Sequence, residues 1–415
     1  MIVEATVGVN PEWASGPLPV HLMWAGDQAI ALSLQAADQA TRLTYFEERV
    51  SGALYGRDGR PVRWHRPVSA TLRGSAVLAV EVLRNLAVPG TGLAVVHVAL
   101  GPDPAAELAA WTDLSTSDRG VKNREFVNGL LPEGIRIAEY TRRTWTLAHV
   151  TFETTPLAPV MPGPYREWGP RDQWLWLMAS ATPLNCFPPD PEDHDALFRG
   201  RIRFSADWQV LVLRDGAAFL GVSPDLGTDS FHAAAATHVH SIYLDVFLLG
   251  MLHGAALNRL ANEISALHTT RLTPSALVAI ESRLINTRTM LGMEHVTVHG
   301  KGNELLAAYQ LQHRHSELRR RLVEDLTDSA RFVDAQTNRS VNAALGLVTA
   351  LGLPFALSYS AAAVAGAGST NSLLWATLIA FALAAGLTLL PPVRAMLGAL
   401  RGWRRHSGDD LEDKG

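Results

Sequence analysis

The chain has 415 residues, a formal net charge of −4 and one cysteine, Cys186. That length holds a sizeable soluble domain with chain to spare, and the charge balance offers a nucleic-acid partner no basic surface. The single cysteine excludes an intrachain disulfide and suits a reducing, cytosolic interior.

The opening stretch, MIVEATVGVNPEW, has neither a basic start nor an apolar run behind it, so no secretory signal is expected. Residues 1–225 are expected to form a mixed α/β cytoplasmic domain. Short β-rich runs recur at 92–100 (GLAVVHVAL), 145–153 (WTLAHVTFE) and 174–178 (WLWLM). The clearest signal is 208–222 (WQVLVLRDGAAFLGV), where two apolar strands flank Asp215-Gly216. That pair suits the positive φ of a tight hairpin. Stretches between these runs, such as 75–86, read as helices covering the strands. The proline-rich part from 156 to 191 reads as an irregular connection.

The pattern turns helical in 226–340. Over 229–268, Ile242, Val246, Leu249, Leu252, Ala256 and Leu260 share a periodic face. Thr273-Pro274, a cap followed by proline at the first helical position, opens a second helix to about 293. The sequence HGKG at 299–302 breaks the chain, and Asn303 is expected to cap a third helix with no stop signal before Pro354. A stalk of roughly 50 residues spans about 75 Å at the α-helical rise. Leu318, Leu322, Leu326, Ala330, Val333, Thr337 and Val341 form a stripe along it, so it needs helical neighbours or copies of itself.

Between Arg339 and Arg394 there is no Asp, Glu, Lys, Arg or His. About 20 apolar residues cross a bilayer as one helix, so this run fits two crossings, at about 341–364 and 372–390, joined by the turn AGAGSTN. A buried hairpin in a soluble core is the weaker alternative, since such helices seldom run so long without a charge. Arg331 and Arg339 precede the pair, and Arg394, Arg401, Arg404 and Arg405 follow it. Basic flanks stay inside, so both termini are expected in the cytoplasm of a multi-pass inner- or plasma-membrane protein. Trp403 suits a headgroup anchor, and Pro391-Pro392 would stop the second helix. The tail, 394–415, turns from basic to acidic at Asp409. The fold class expected is therefore α+β: a cytoplasmic domain, then long helices, then a C-terminal two-helix transmembrane hairpin.

Asn338, Asn342, Gly346 and Thr349 are spaced four, four and three apart and share one helix face, which Leu353, Ala356 and Ser360 extend. Polar groups at membrane depth face protein or water. Two arrangements satisfy that rule: a water-filled ion path narrowed at Leu353, or polar glue between packed helices. Lower on the stalk, Asp325 and Asp328 lie among alternating charges. They read as a solvated face, or as oxygen ligands for a regulatory divalent cation beside a neighbouring subunit. His232, His238 and His240, with His295 and His299, make a weak zinc candidate, and the pairs His238/His240 and His313/His315 would diverge on a helix. No nucleophile elbow, metalloprotease motif or phosphate loop occurs, so no enzyme activity and no required cofactor are expected.

Three stretches resemble the CorA-type magnesium and cobalt transporter superfamily with its zinc-transporting branch: SIYLDV at 241–246, DAQTNRSVN at 334–342, and the run from Val348-Thr349 to Pro354. The hairpin at Asp215-Gly216 suits the end of that family's cytoplasmic sheet. The resemblance covers about 205–393. It implies a homopentamer in the lipid bilayer, with the long helix lining a pore and the second span in an outer ring. It also puts Leu345 on the pore side with Asn342, Gly346, Thr349 and Leu353. The implied function is passive, gated passage of metal cations such as magnesium, cobalt or zinc. The chain departs from the family where Gly-Met-Asn follows the first span: Ala363-Val364-Ala365 stands there. That departure motivates two alternatives, a ligand- or partner-gated membrane effector that supplies no metal, and a non-conducting membrane scaffold.

Overall fold

A computed structural model describes residues 1–19, 42–57, 59–72, 74–152, 165, 167–182, 189–222, 231–269, 274–292, 295–364, 374–375 and 377–382. Two compact units divide the chain, residues 1–266 with 279–323, and residues 267–278 with 324–415. The class is α+β. In the first unit, β1 (Ile2–Val7), β2 (Ala14–Ser15), β3 (Arg63–Leu72), β4 (Ser75–Arg84), β5 (Gly90–Ala99) and β6 (Ile135–Ile137) form one sheet in the order β2-β3-β4-β5-β1-β6. Every pairing in it is antiparallel. A second sheet, ordered β7-β10-β9-β8, holds β7 (Thr146–Phe152), β8 (Arg201–Arg203), β9 (Trp208–Val212) and β10 (Gly216–Val222), with β7 and β10 parallel.

Helices cover both faces of both sheets, among them the short α1 (Glu48–Tyr55), α5 (His194–Phe198) and α6 (Phe231–His238). On one face of the first sheet, Val3, Val80, Val82, Ala94 and Val96 pack with Trp111 of α2 (Pro104–Thr112) and Val127 of α3 (Asp118–Leu130). On one face of the second, Ala218 and Leu220 pack with Leu175 and Met178 of α4 (Pro170–Ser180). The inner faces of both sheets meet one core. There Leu83, Leu93, Val210 and Phe219 surround the helical segment that carries Ile242, Val246, Phe247 and Leu249. That segment starts as the short helix Phe231–His238, loosens into a π-turn at Val239–Tyr243, and continues as α7 (Leu244–Thr269).

The apolar face read from the sequence is buried along its length, from Ile242 at 3% to Leu260 at 3% exposure. Among the described residues one helix, Ala235–Ala266, is long and apolar enough to cross a membrane, and 89% of its apolar window is buried inside the protein. Over that window it is a core helix, apolar because sheets and helices enclose it, while Asn258, Arg259 and Asn262 nearer its end are exposed.

Strands at 92–100 and 145–153 form as β5 and β7. Of the stretch 75–86, residues 75–84 form the strand β4, not a helix. As a central strand buried on both faces it lacks the alternation that marks a half-buried strand, and β-branched Val77, Val80 and Val82 favour extension. Residues 174–178 are helical, not extended: Gly169 and Pro170 start α4, and Ala181 ends it in the left-handed region at φ 46°. The proline-rich stretch therefore contains a helix, although 153–164 and 183–188 lie outside the described residues.

The hairpin at Asp215-Gly216 forms, with Ala217 opposite Val212 and Leu213 N–H donating to Gly216 O at 2.8 Å. Gly216, however, is not among the glycines with positive φ. It is needed for close approach: a Cβ there would lie 2.6 Å from Thr146 O and 2.7 Å from Ala179 O, both main-chain atoms. Gly216→Val should therefore destabilise the purified full chain by about 1–3 kcal/mol, the usual cost of overpacking a tight site. A thermal melt reads this directly, and an unchanged midpoint would contradict it.

Further along, α8 (Pro274–Met290) forms as read, while its cap Thr273 lies outside the described residues. Asn303 does not cap a helix. The helix α9 (Gly300–Gln312) begins three residues earlier, and the Asn303 amide instead closes the preceding turn, accepting from Val296 N–H at 2.9 Å and donating to Thr297 O at 2.8 Å. The stalk is also not continuous from 303. Arg314 takes φ 52°, and a new helix, α10 (His315–Val364), runs 50 residues and passes through Pro354.

Candidate functional site

Helix α10 carries every pore residue read from the sequence. Asn338, Asn342, Leu345, Thr349 and Ala356 are exposed, and Gly346 is half-buried. The side chain of Leu353 lies outside the described residues. Continuous helix keeps the set on one face, and the 18 steps of rise from Asn338 to Ala356 amount to about 27 Å, close to the thickness of a hydrocarbon core. Thr349 Oγ1 donates to Leu345 O at 2.8 Å, and Ser360 Oγ donates to Ala356 O at 2.7 Å. With its proton directed back along the helix, each hydroxyl turns its remaining lone pairs outward as an acceptor. Of the second predicted span, 374–375 and 377–382 are helical. Its remainder, the turn 365–371 and the tail 394–415 lie outside the described residues.

Asp325 and Asp328 are exposed, and Asp328 pairs with Arg331 at 3.3 Å on its own helix. His299 stacks on Tyr45 with ring centroids 4.8 Å apart. Among the described residues, no three His, Cys, Asp or Glu side chains converge as a metal centre.

The first unit holds a buried charge network that sequence reasoning missed. Arg63, Glu81 and Asp245 are each 0% exposed. The Arg63 guanidinium donates to Glu81 through Nε at 2.7 Å and Nη2 at 3.1 Å, and to Asp245 through Nη1 at 2.5 Å. Asp245 also accepts from Tyr55 OH at 2.6 Å and pairs with Arg42 at 3.3 Å. Glu81 accepts from Leu18 N–H at 2.9 Å and bonds His97 Nε2 at 2.8 Å. Burial works against the charge on Glu81, yet Arg63 and His97 outweigh it and hold its carboxyl well below the usual range. Burial, then the adjacent Asp245, pushes the Tyr55 hydroxyl well above its ordinary value. The network ties β3 and β4 to the first turn of α7. One signal for it was available: Glu81 interrupts the apolar run AVEVL, where only a paired charge can be buried.

A cavity of about 470 Å³ adjoins the network, lined by Leu100, Trp111, His97, His149 and His240 among others. His97 and His240 lie 5.8 Å apart, ring to ring. Burial, then the nearby His97 and His149, pushes His240 down to about 3, so it is neutral at physiological pH. The cavity is thus an apolar space edged with three imidazoles, and the neutral ring of His240 can donate or accept a hydrogen bond.

Compared with protein families, with curated proteins and with solved structures, the chain finds no match in any of the three.

Proposed function

We propose that the chain is an oligomeric, CorA-like membrane protein that passes metal cations down their gradient. In this reading copies of α10 surround a shared axis and present Asn338, Asn342, Leu345, Gly346, Thr349, Leu353 and Ala356 to it, with five copies as the resemblance implies. One observation carries the reading: a 50-residue helix runs into a stretch with no charged residue, and its Asn338, Asn342 and Thr349 side chains are exposed among the described residues. Val341, Leu345, Leu357, Leu374, Trp375, Leu378, Ile379 and Phe381 are exposed as well. Apolar exposure on this scale marks a surface that lipid or another chain covers. The membrane would be the inner or plasma membrane, crossed twice, with both termini in the cytoplasm.

Without Gly-Met-Asn, the ion would meet amide and hydroxyl oxygens along the helix rather than an asparagine ring at the outer mouth. Asp325 and Asp328 would face neighbouring copies and hold a regulatory divalent ion between subunits. Purified protein in liposomes is expected to load magnesium, cobalt or zinc without any added ligand. Intact oligomers that move none of the three would sink the reading.

A second reading draws on the 470 Å³ cavity. Its wall residue His97 bonds Glu81, and through Arg63 that contact reaches Asp245 at the start of α7. A ligand seated there would address a core helix directly, as a gated effector requires. Liposomes that stay silent until a nucleotide or cell extract is added would favour this second reading over the first.

A further inference from the structure

The corner between α9 and α10 gathers three histidines that the proposed ion path does not use. On one continuous helix His313 and His315 would point apart. Instead the left-handed Arg314 folds the chain, and the two rings come within 6.0 Å. His253 of α7 lies 5.3 Å from His315. Tyr309 completes the group, stacked on His313 at 4.2 Å and meeting His315 edge-on at 5.7 Å. There is no slack: a Cβ on Gly254 would lie 2.7 Å from His315 Nε2. Nδ1 of His253, Nε2 of His313 and Nδ1 of His315 are all buried with no hydrogen-bond partner among the described residues.

A neutral imidazole tolerates an unpaired nitrogen at modest cost, whereas an imidazolium needs partners for two N–H groups and a counter-charge. The surroundings supply little of either. Arg319 of α10 acts on His253, and Arg214 of the β9–β10 turn acts on His313. Asp215 on that turn works in the other direction, but Arg143 already sits 3.6 Å from it. Glu4, Tyr140 and Arg142 line the adjoining cavity of about 280 Å³, and Arg314 pairs with Glu317 at 3.9 Å on the corner itself. Burial first, then Arg319, pushes His253 down to about 4; burial first, then Arg214, pushes His313 down to about 4; burial first, then His253 and His313, pushes His315 down to about 3.

We propose that this three-histidine corner is a proton-operated latch: neutral, it pins the first turn of α10 against α7 and α9, and protonated, it lets go. The latch does not depend on the chain conducting ions. Its sign follows from the lowered values. Opened rings titrate near the ordinary value of about 6.5. The closed corner is therefore favoured fully above that pH and loses stability as pH falls from about 6.5 toward about 4. Uptake of one to three protons on opening changes the equilibrium by about tenfold to about a thousandfold per pH unit.

Hydrogen exchange on the detergent-solubilised full chain, stepped between neutral and mildly acidic pH and corrected for intrinsic rates, tests this. Protection over 309–319 is expected to fall at least about tenfold per pH unit below about 6.5 while β5 stays protected. The double variant His253→Gln/His315→Gln should flatten the response. If that variant misfolds, His313→Gln alone should make the response less steep. A flat wild-type profile overturns the latch, as does an unchanged profile in the folded variant. A response abolished by a chelator also overturns it, by making the corner a metal site.

Discussion

Replacing Arg63 by methionine is expected to cost the first unit about 3–5 kcal/mol, the range for breaking a buried ion pair from one side. Few single changes remove so much at once. Glu81 loses its two guanidinium bonds and keeps only the Leu18 amide and His97, while Asp245 keeps Tyr55 and Arg42. Both carboxylates are then fully buried charges, Glu81 without two of its four bonds and Asp245 without one of its three partners. Against a total stability of about 5–15 kcal/mol this is a large fraction. The double variant Arg63→Met/Glu81→Leu should be closer to wild type than Arg63→Met, because it removes the stranded Glu81 carboxylate together with its partner and leaves Asp245 paired with Arg42 and bonded to Tyr55. Denaturant unfolding followed by circular dichroism separates the two. A single variant within about 1 kcal/mol of wild type, at the level of an exposed ion pair, would show that the network is solvated.

The sequence was legible where one local signal had one reading. The hairpin at Asp215-Gly216 stood out because two apolar runs flank a turn pair, and residues 229–268 because their apolar face repeats with helical period. It was misread where burial erased the period. Strand β4, covered on both faces, and helix α4, with its run WLWLM, look alike as short apolar stretches. The break at His313–His315 left no trace because its left-handed residue is an arginine, which carries none of the preference that glycine or asparagine would show there. The histidine corner depends on that break, so it could not be read earlier. The face on α10 was legible because helical spacing alone determines it.

On the proposed pore, replacing Thr349 by arginine is expected to cut cation flux by about a hundredfold or more while oligomers still assemble. Around a shared axis each copy contributes one guanidinium. A single fixed charge about 7 Å from a divalent ion costs that ion about 5 kcal/mol at an effective dielectric of about 20. Every 1.4 kcal/mol is about tenfold, so even one arginine exceeds the expected effect before the other copies are counted. Thr349→Ser keeps the outward hydroxyl acceptor and should conduct close to the wild-type rate. The alternative orientation predicts a different pattern. Were Thr349 to face lipid, arginine would cost insertion about 2.5–3.5 kcal/mol, so membrane-inserted protein would fall while flux per oligomer stayed level. Normalising flux to assembled oligomer therefore distinguishes an axis-facing hydroxyl from a lipid-facing one, and full conduction by the arginine variant removes α10 from the ion path.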